Sequence, residues 1–283
     1  MKDSSLSASR CREIEDCPSL VQCIQTWIAL IDYDYEHDGA ARTGLRDKTG
    51  EERRQVAAKL KYAASVMCAD LARLEDDLRA LEAAGCDELH FDIMDGRFVP
   101  NFTLGFDFIK AARRVCGLPC HAHLMIVKPE RYIERFVGAG CNAVTVHVET
   151  CAHAHRTLAQ IRAAGASPGI AINPATPLTK LDFLFDHVDR ILVMTVDPGY
   201  AGQKIIPNAF ERVRILRENL DYRERRAAIE VDGNIDARNA ALLANAGASV
   251  FVLGTSSIFK GNGRLGDALH TFKQKVESER TRA

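Results

Sequence analysis

The sequence has no excess charge of either sign, no CxxC pair, no dinucleotide-type glycine fingerprint and no apolar run long enough to cross a bilayer. Each absence removes a class of function. With 37 basic against 38 acidic side chains, neither a nucleic acid nor an anionic membrane surface is the expected main partner, although a small phosphate needs only a local cluster of donors. Nine cysteines, an odd number with several in alanine-rich or apolar stretches, suit reduced thiols in a cytoplasmic protein rather than a disulfide framework. The N-terminal MKDSSLSASRCREIEDC has no apolar core behind its charges and does not read as a secretory signal. Soluble and cytoplasmic is the expectation.

What is present is a chain of 283 residues that is 47% hydrophobic, enough to bury a sizeable core in one large domain or two small ones. Residues 1–56 stand apart. SLVQCIQTWIALI (19–31), with the single tryptophan, has helical apolar spacing after Pro18 and Ser19, and a polar stretch follows it. These residues are expected to form an N-terminal extension, partly helical or poorly ordered. From residue 57 onward the pattern is rhythmic. An amphipathic stretch ends at Gly85, Gly140, Gly165 or Gly247, and a short apolar run follows within a few residues. Helix, glycine cap, loop and buried strand is the natural reading.

Eight candidate strands result, at 62–66, 88–93, 120–125, 143–148, 168–172, 190–195, 227–231 and 249–253, with room for a crossover helix each time. Runs such as VFVLG and ILVMTV are apolar on both faces, as in a parallel sheet covered by helices. The predicted fold class is α/β, a closed (β/α)8 TIM barrel over residues 57–283 with an N-terminal extension. The rival is a doubly wound open sheet, which usually has fewer strands and often the missing fingerprint.

A barrel places its chemistry at the C-terminal strand ends, and the polar residues fall there. Ser65 closes the first run, His90 and Asp92 the second, His123 and Met125 the third, and His147 with Glu149 the fourth. Asn173 follows the fifth, Thr195 and Asp197 the sixth, Asp232 the seventh, and Thr255, Ser256 and Ser257 the eighth. His90, Asp92, His123 and Asp232 offer two imidazoles and two carboxylates, a donor set suited to Zn, Mn, Fe or Co. The alternative for each is a hydrogen bond to loop backbone. Gly199 and Gly202 in VDPGYAGQ, Gly233 in VDGN and Gly254 in GTSS follow strands six to eight, where barrel enzymes commonly bind phosphate; plain turn punctuation is the alternative. Met94, Met125 and Met194 either fill core or line a cavity. His153 and His155 read as peripheral, and Cys68 as a packed small side chain.

Taken together, ASVMCADL (64–71), LHFDIMDGRFVPN (89–101), HLMIVKPE (123–130), MTVDPGYAGQKIIP (194–207), IEVDGN (229–234) and GTSSIF (254–259) resemble the ribulose-phosphate 3-epimerase family, in its order and across about residues 60–275. The resemblance implies a metal-dependent isomerase, an epimerase inverting C3 of a phosphorylated ketose. It assigns one divalent metal ion to His90, Asp92, His123 and Asp232, with Asp92 and Asp232 also the acid/base pair. It further implies substrate contacts from Ser65 and His123, an apolar cushion of Met94, Met125 and Met194, and a phosphate held by Gly202 with its neighbours Gly199, Tyr200 and Ala201, by Gly233 and Asn234, and by Thr255 and Ser256.

Three residues depart from the family's usual pattern: Ala64 stands for proline, Arg97 for histidine, and Asn234 for the second glycine of VDGG. MTVDPGYAGQ, NPATP (173–177), VDGN and GTSSIF look closer to the D-allulose-6-phosphate 3-epimerase branch than to the pentose-phosphate enzyme. The substrate pairs in view are therefore D-allulose 6-phosphate with D-fructose 6-phosphate, and D-ribulose 5-phosphate with D-xylulose 5-phosphate. Competing readings are an aldolase or decarboxylase on the same barrel, or a non-catalytic barrel protein that binds phosphorylated sugars. Barrel enzymes often form homo-oligomers, but the sequence fixes no subunit number.

Overall fold

The alternation of the strand residues builds the barrel. In the computed structural model, which describes residues 59–260 and 264–282, eight strands pair in parallel and in chain order, and the last closes on the first. They are β1 Lys61–Ser65, β2 Glu88–Met94, β3 Cys120–Met125, β4 Ala143–His147, β5 Ser167–Ile172, β6 Arg190–Met194, β7 Ala228–Asp232 and β8 Val250–Leu253. Each lies within a residue of its predicted position. The expected extension over residues 1–56 lies outside the described residues.

Outward positions on every strand are apolar and share one cluster with the helices. Leu89, Phe91 and Ile93 of β2, Val144 and Val146 of β4, and Ile229 and Val231 of β7 pack there. The helices are α1 Leu74–Ala83, α2 Phe106–Val115, α3 Ile133–Gly138, α4 Ala154–Ala163, α5 Ala209–Tyr222, α6 Ala237–Asn245 and α7 Leu265–Arg282. Leu78, Ile109, Phe136, Leu158, Leu216, Leu243 and Phe272 turn their apolar faces to the sheet. The four glycines expected to end helices all have positive φ, which a side chain would disfavour.

One crossover differs from expectation. Between β5 and β6 there is only a 3-10 turn, Leu178–Leu181. Pro174 and Pro177 keep the segment before it out of a helix, since proline lacks the N–H that a helix interior needs, and residues 182–187 continue as turns. No described helix is long and apolar enough to cross a membrane. The six described cysteines are free, and four of them are buried.

Inward positions are unusually polar for a barrel interior. Arg190 Nη1 and Nη2 bond the two oxygens of Glu88 (2.5 and 2.9 Å), and Nη1 also reaches Glu230 Oε2 (3.1 Å) and His121 Nδ1 (3.0 Å). His121 Nε2 lies 2.7 Å from Thr145 Oγ1. This charged floor joins β2, β3, β4, β6 and β7. Glu88 and Glu230 carry two negative charges against the one positive charge of Arg190, and Glu230 turns its remaining oxygen toward the layer above.

Candidate active site

One residue pair further along the strands lies the cluster that the polar pattern foreshadowed. His90, Asp92, His123 and Asp232 each present a ligand atom within 4.8 Å of the others. His90 and Asp92 are both inward because they are two residues apart on β2, and the register sets Asp92 beside His123 on β3. Asp232 ends β7 opposite Met194.

The spacing fits a cation. His90 Nε2 is 3.2 Å from Asp92 Oδ1 and 3.9 Å from Asp232 Oδ2. His123 Nδ1 is 3.3 Å from Asp92 Oδ1 and 3.7 Å from Asp232 Oδ2. A tetrahedral ion with bonds of about 2.0–2.1 Å needs ligand edges of about 3.3 Å, so small adjustments suffice. The two imidazoles are supported from behind, as those of metal-binding histidines usually are. His90 Nδ1 faces Glu230 Oε1 at 3.2 Å, and His123 Nε2 faces His147 Nε2 at 2.9 Å. A second cluster, His90, His121 and Glu230, also has ligand-like spacing. There the Arg190 guanidinium already supplies the positive charge.

Electrostatics split the two carboxylates. Burial alone would raise Asp92, but the charge and hydrogen bond of His90, with the His123 imidazole alongside, hold it far below the usual carboxylate range. Burial and the Asp92 charge push Asp232 up to about 8. Burial works against a charge on His90, yet Asp92 and Glu230 outweigh it and raise the imidazole well above its ordinary value. Burial takes His123 down to about 3 despite Asp92 beside it. Left to itself the cluster balances its charge with protons on His90 and Asp232. The simpler expectation, two ionised carboxylates, requires a cation between them.

Above the cluster opens a cavity of about 610 Å³, mouth included. Ser65, Asp92, Met94, Met125, Met194, Asp232, Gly233, Asn234, Thr255 and Ser256 line it, together with Gly199 to Gly202. His90 and His123 are fully buried beneath this surface and meet the cavity through the carboxylates. Ser65 Oγ donates to Asp92 Oδ2 (2.7 Å). Tyr200 OH donates to Pro100 O, and Asn101 Nδ2 to Gly199 O, both at 2.9 Å, so the loops after β2 and β6 are latched across the mouth.

The departure at residue 234 has a structural reason. Asn234 sits at φ 52 and Gly233 at φ 116. The left-handed region admits asparagine more readily than other side chains, so Asn234 replaces glycine without losing the turn. A Cβ on Gly233 would meet Val196 at 2.5 Å. Arg97 is exposed on the loop after β2.

Several residues take places that sequence reasoning did not give them. Cys68 and Met67 line the cavity, where Cys68 had been expected only to pack. Asp95, close to the cluster in sequence, instead accepts from the N–H groups of Arg97, Phe98 and Val127 and pins two loops. Thr195 Oγ1 donates toward Asp232 O (2.8 Å) and Gly233 O, supporting the cavity wall from outside. Glu88, His121, Arg190 and Glu230 went unnoticed as a layer. A signal existed: each lies two or four residues before a strand-end polar or methionine residue, on the same inward face.

Comparison with known proteins adds a lineage. The model described as "Ribulose-phosphate 3 epimerase family" matches residues 61–259. Ribulose-phosphate 3-epimerase of Bacillus subtilis (strain 168) is 39% identical over 198 residues, covering 70% of this chain and 91% of that protein. The protein of the same name from Rhodobacter capsulatus is 44% identical over 202 residues, covering 71% and 87%. The chloroplastic ribulose-5-phosphate-3-epimerase of Arabidopsis thaliana is 41% identical over 194 residues, covering 68% and 69%. Among solved structures, a mutant tryptophan synthase alpha-subunit from Pyrococcus furiosus superposes with TM-score 0.55 at 18% identity, over 80% of this chain and 98% of that one. That likeness concerns the barrel alone.

Proposed function

This chain belongs to the ribulose-phosphate 3-epimerase family, and from that membership we propose that its barrel inverts C3 of a ketose phosphate through a cis-enediolate, with Asp92 and Asp232 as acid/base pair. It is an isomerase, an epimerase acting on carbohydrate phosphates. The supporting observation is the convergence of two imidazoles and two carboxylates from three strands, within 4.8 Å, under a cavity walled by glycine-rich loops.

Inversion requires a proton to leave C3 on one face and another to arrive on the opposite face. Asp92, the more acidic of the two, is suited to accept, and Asp232, whose proton is held more tightly in the metal-free cluster, is suited to donate. In the reverse direction the roles exchange. His90, Asp92, His123 and Asp232 would hold one divalent ion (Zn, Mn, Fe or Co), which when bound supplies Lewis-acid stabilisation of charge on the substrate oxygens. Ser65 orients Asp92 and contacts the sugar, and His123 serves the sugar end through the same cluster. Met94, Met125 and Met194 exclude water from the reacting carbon and strengthen the local electrostatics. The phosphate would rest on Gly202 and its neighbours Gly199, Tyr200 and Ala201, on Gly233 and Asn234, and on Thr255 and Ser256, far enough from C3 to orient the substrate.

The named relatives favour D-ribulose 5-phosphate and D-xylulose 5-phosphate as the substrate pair. The motifs MTVDPGYAGQ, NPATP, VDGN and GTSSIF motivate the second reading, D-allulose 6-phosphate with D-fructose 6-phosphate. In this reading residues 57–283 are the catalytic domain, working in a cytoplasm that keeps the cysteines reduced. Kinetics of the metal-replete protein on ribulose 5-phosphate and allulose 6-phosphate in D₂O test both. Deuterium should appear at C3 of the product from the preferred ketose; turnover of neither sugar, without exchange at C3, would overturn the epimerase reading.

A further inference from the structure

His147 ends β4 one strand beyond the ligand cluster, is fully buried, and touches no part of the cavity. Its Nε2 lies 2.9 Å from His123 Nε2, its Nδ1 3.2 Å from Glu149 Oε2. The two rings are inclined by only 22° with centroids 5.0 Å apart. Since the centroids are farther apart than the facing nitrogens, the imidazoles meet edge to edge, along the line of a hydrogen bond. The far end is equally constrained: Glu149 Oε1 accepts from the backbone N–H of Asn173 at 2.8 Å, which fixes the carboxylate.

Only one neutral arrangement satisfies this row. A carboxylate can only accept, so His147 carries its proton on Nδ1. Its Nε2 is then an acceptor, and His123 must donate from Nε2. That leaves the Nδ1 lone pair of His123 facing Asp92 Oδ1 at 3.3 Å and Asp232 Oδ2 at 3.7 Å. Two lone pairs at such a distance repel unless a cation or a proton lies between them.

We propose that His147 and Glu149 are positioning residues, which hold His123 as its Nε2–H tautomer and aim its Nδ1 lone pair at the cation point. The inference rests on the reading of His123 as a metal ligand. The row crosses from β3 to β4 and is anchored at the end of β5, so the ligand's proton is set by a carboxylate on the neighbouring strand's loop, through an intervening imidazole. Carboxylate support of a metal-bound histidine normally takes one step; here a second imidazole is interposed.

The test uses the metal-stripped full chain, with Zn²⁺ affinity measured by chelator competition and histidine tautomers read by ¹⁵N NMR. His147→Phe keeps the ring but removes both nitrogens, and should weaken Zn²⁺ binding by about 10- to 100-fold. His147→Gln retains an acceptor near the Nε2 position and should restore most of that affinity. Glu149→Gln leaves both rings in place and should weaken binding several-fold, which serves if the phenylalanine variant misfolds. In wild type His123 should appear as the Nε2–H form, and that preference should be lost in His147→Phe. Wild-type Zn²⁺ affinity in a folded His147→Phe, or an Nδ1–H signal for His123 in wild type, overturns the proposal. Should wild type bind no Zn²⁺, the metal-dependent reading fails, while the tautomer signals still decide whether the row sets the proton on His123.

Discussion

Asp92 and Asp232 share one cluster but not one environment: Ser65 and His90 bond Asp92, with His123 Nδ1 3.3 Å away, whereas Asp232 lies against its charge. Replacing either carboxylate with an amide removes a proton carrier while keeping its shape. Asp92→Asn and Asp232→Asn should each lower kcat by roughly 10²–10⁴-fold, measured with Zn²⁺ content determined in parallel; a folded variant near wild-type turnover would exclude the two-carboxylate mechanism. The same imbalance predicts a pH effect on the metal-free protein. Asp232 rises from 3.8 to about 8, so over that window the folded state holds a proton that the unfolded chain has released, and stability falls as pH rises. His90, raised above 6.5, acts with the same sign, since its contribution is complete below that value and lost through its folded value. The Tm of metal-free protein should therefore drop between about pH 7 and about pH 8, above the 6.5 at which the lowered His121, His123 and His147 stop acting with the opposite sign, and Asp232→Asn should flatten the slope. A Tm that climbs across this range would contradict the assignment.

At the scale of elements, strand alternation divides the chain into an apolar outer face and a polar inner one. The inner floor depends on Arg190, which lies between Glu88 and Glu230. Arg190→Met would leave two buried carboxylates without compensation and should cost about 3–5 kcal/mol, read by chemical denaturation. It should also loosen Glu230 behind His90 and weaken Zn²⁺ binding, an effect absent from an equally destabilising change on the outer face such as Leu158→Ala. The loop after β7 has a different requirement. Gly233→Ala places a Cβ against Val196 in a left-handed backbone, at a cost of about 1–2 kcal/mol. If this loop grips the phosphate, KM should rise roughly tenfold with less effect on kcat; an unchanged KM would argue for another phosphate position.

For the whole molecule, a cation that binds the folded barrel should stabilise it by mass action, about 2.7 kcal/mol at a hundredfold excess over Kd. Chelation should thus lower Tm and readdition restore it. The eight strands were legible because parallel barrel strands need apolar outer faces and glycine-terminated helices, which leave a strong local pattern at Gly85, Gly140, Gly165 and Gly247. The missing helix between β5 and β6 left no such mark, because residues 178–189 hold neither proline nor glycine to break one.

The sequence by itself determined the eight strands and which polar residues stand at their carboxyl ends, because both follow from periodicity within single segments; their pairing in chain order and closure came from the tertiary structure. Only the tertiary structure decided that His123 bonds His147, that Glu230 stands behind His90, and that Asp95 serves the loops rather than the cluster. Those choices depend on register between strands 24 to 140 positions apart in sequence, and neighbouring side chains set a charge or a proton only once closure brings them within hydrogen-bond reach.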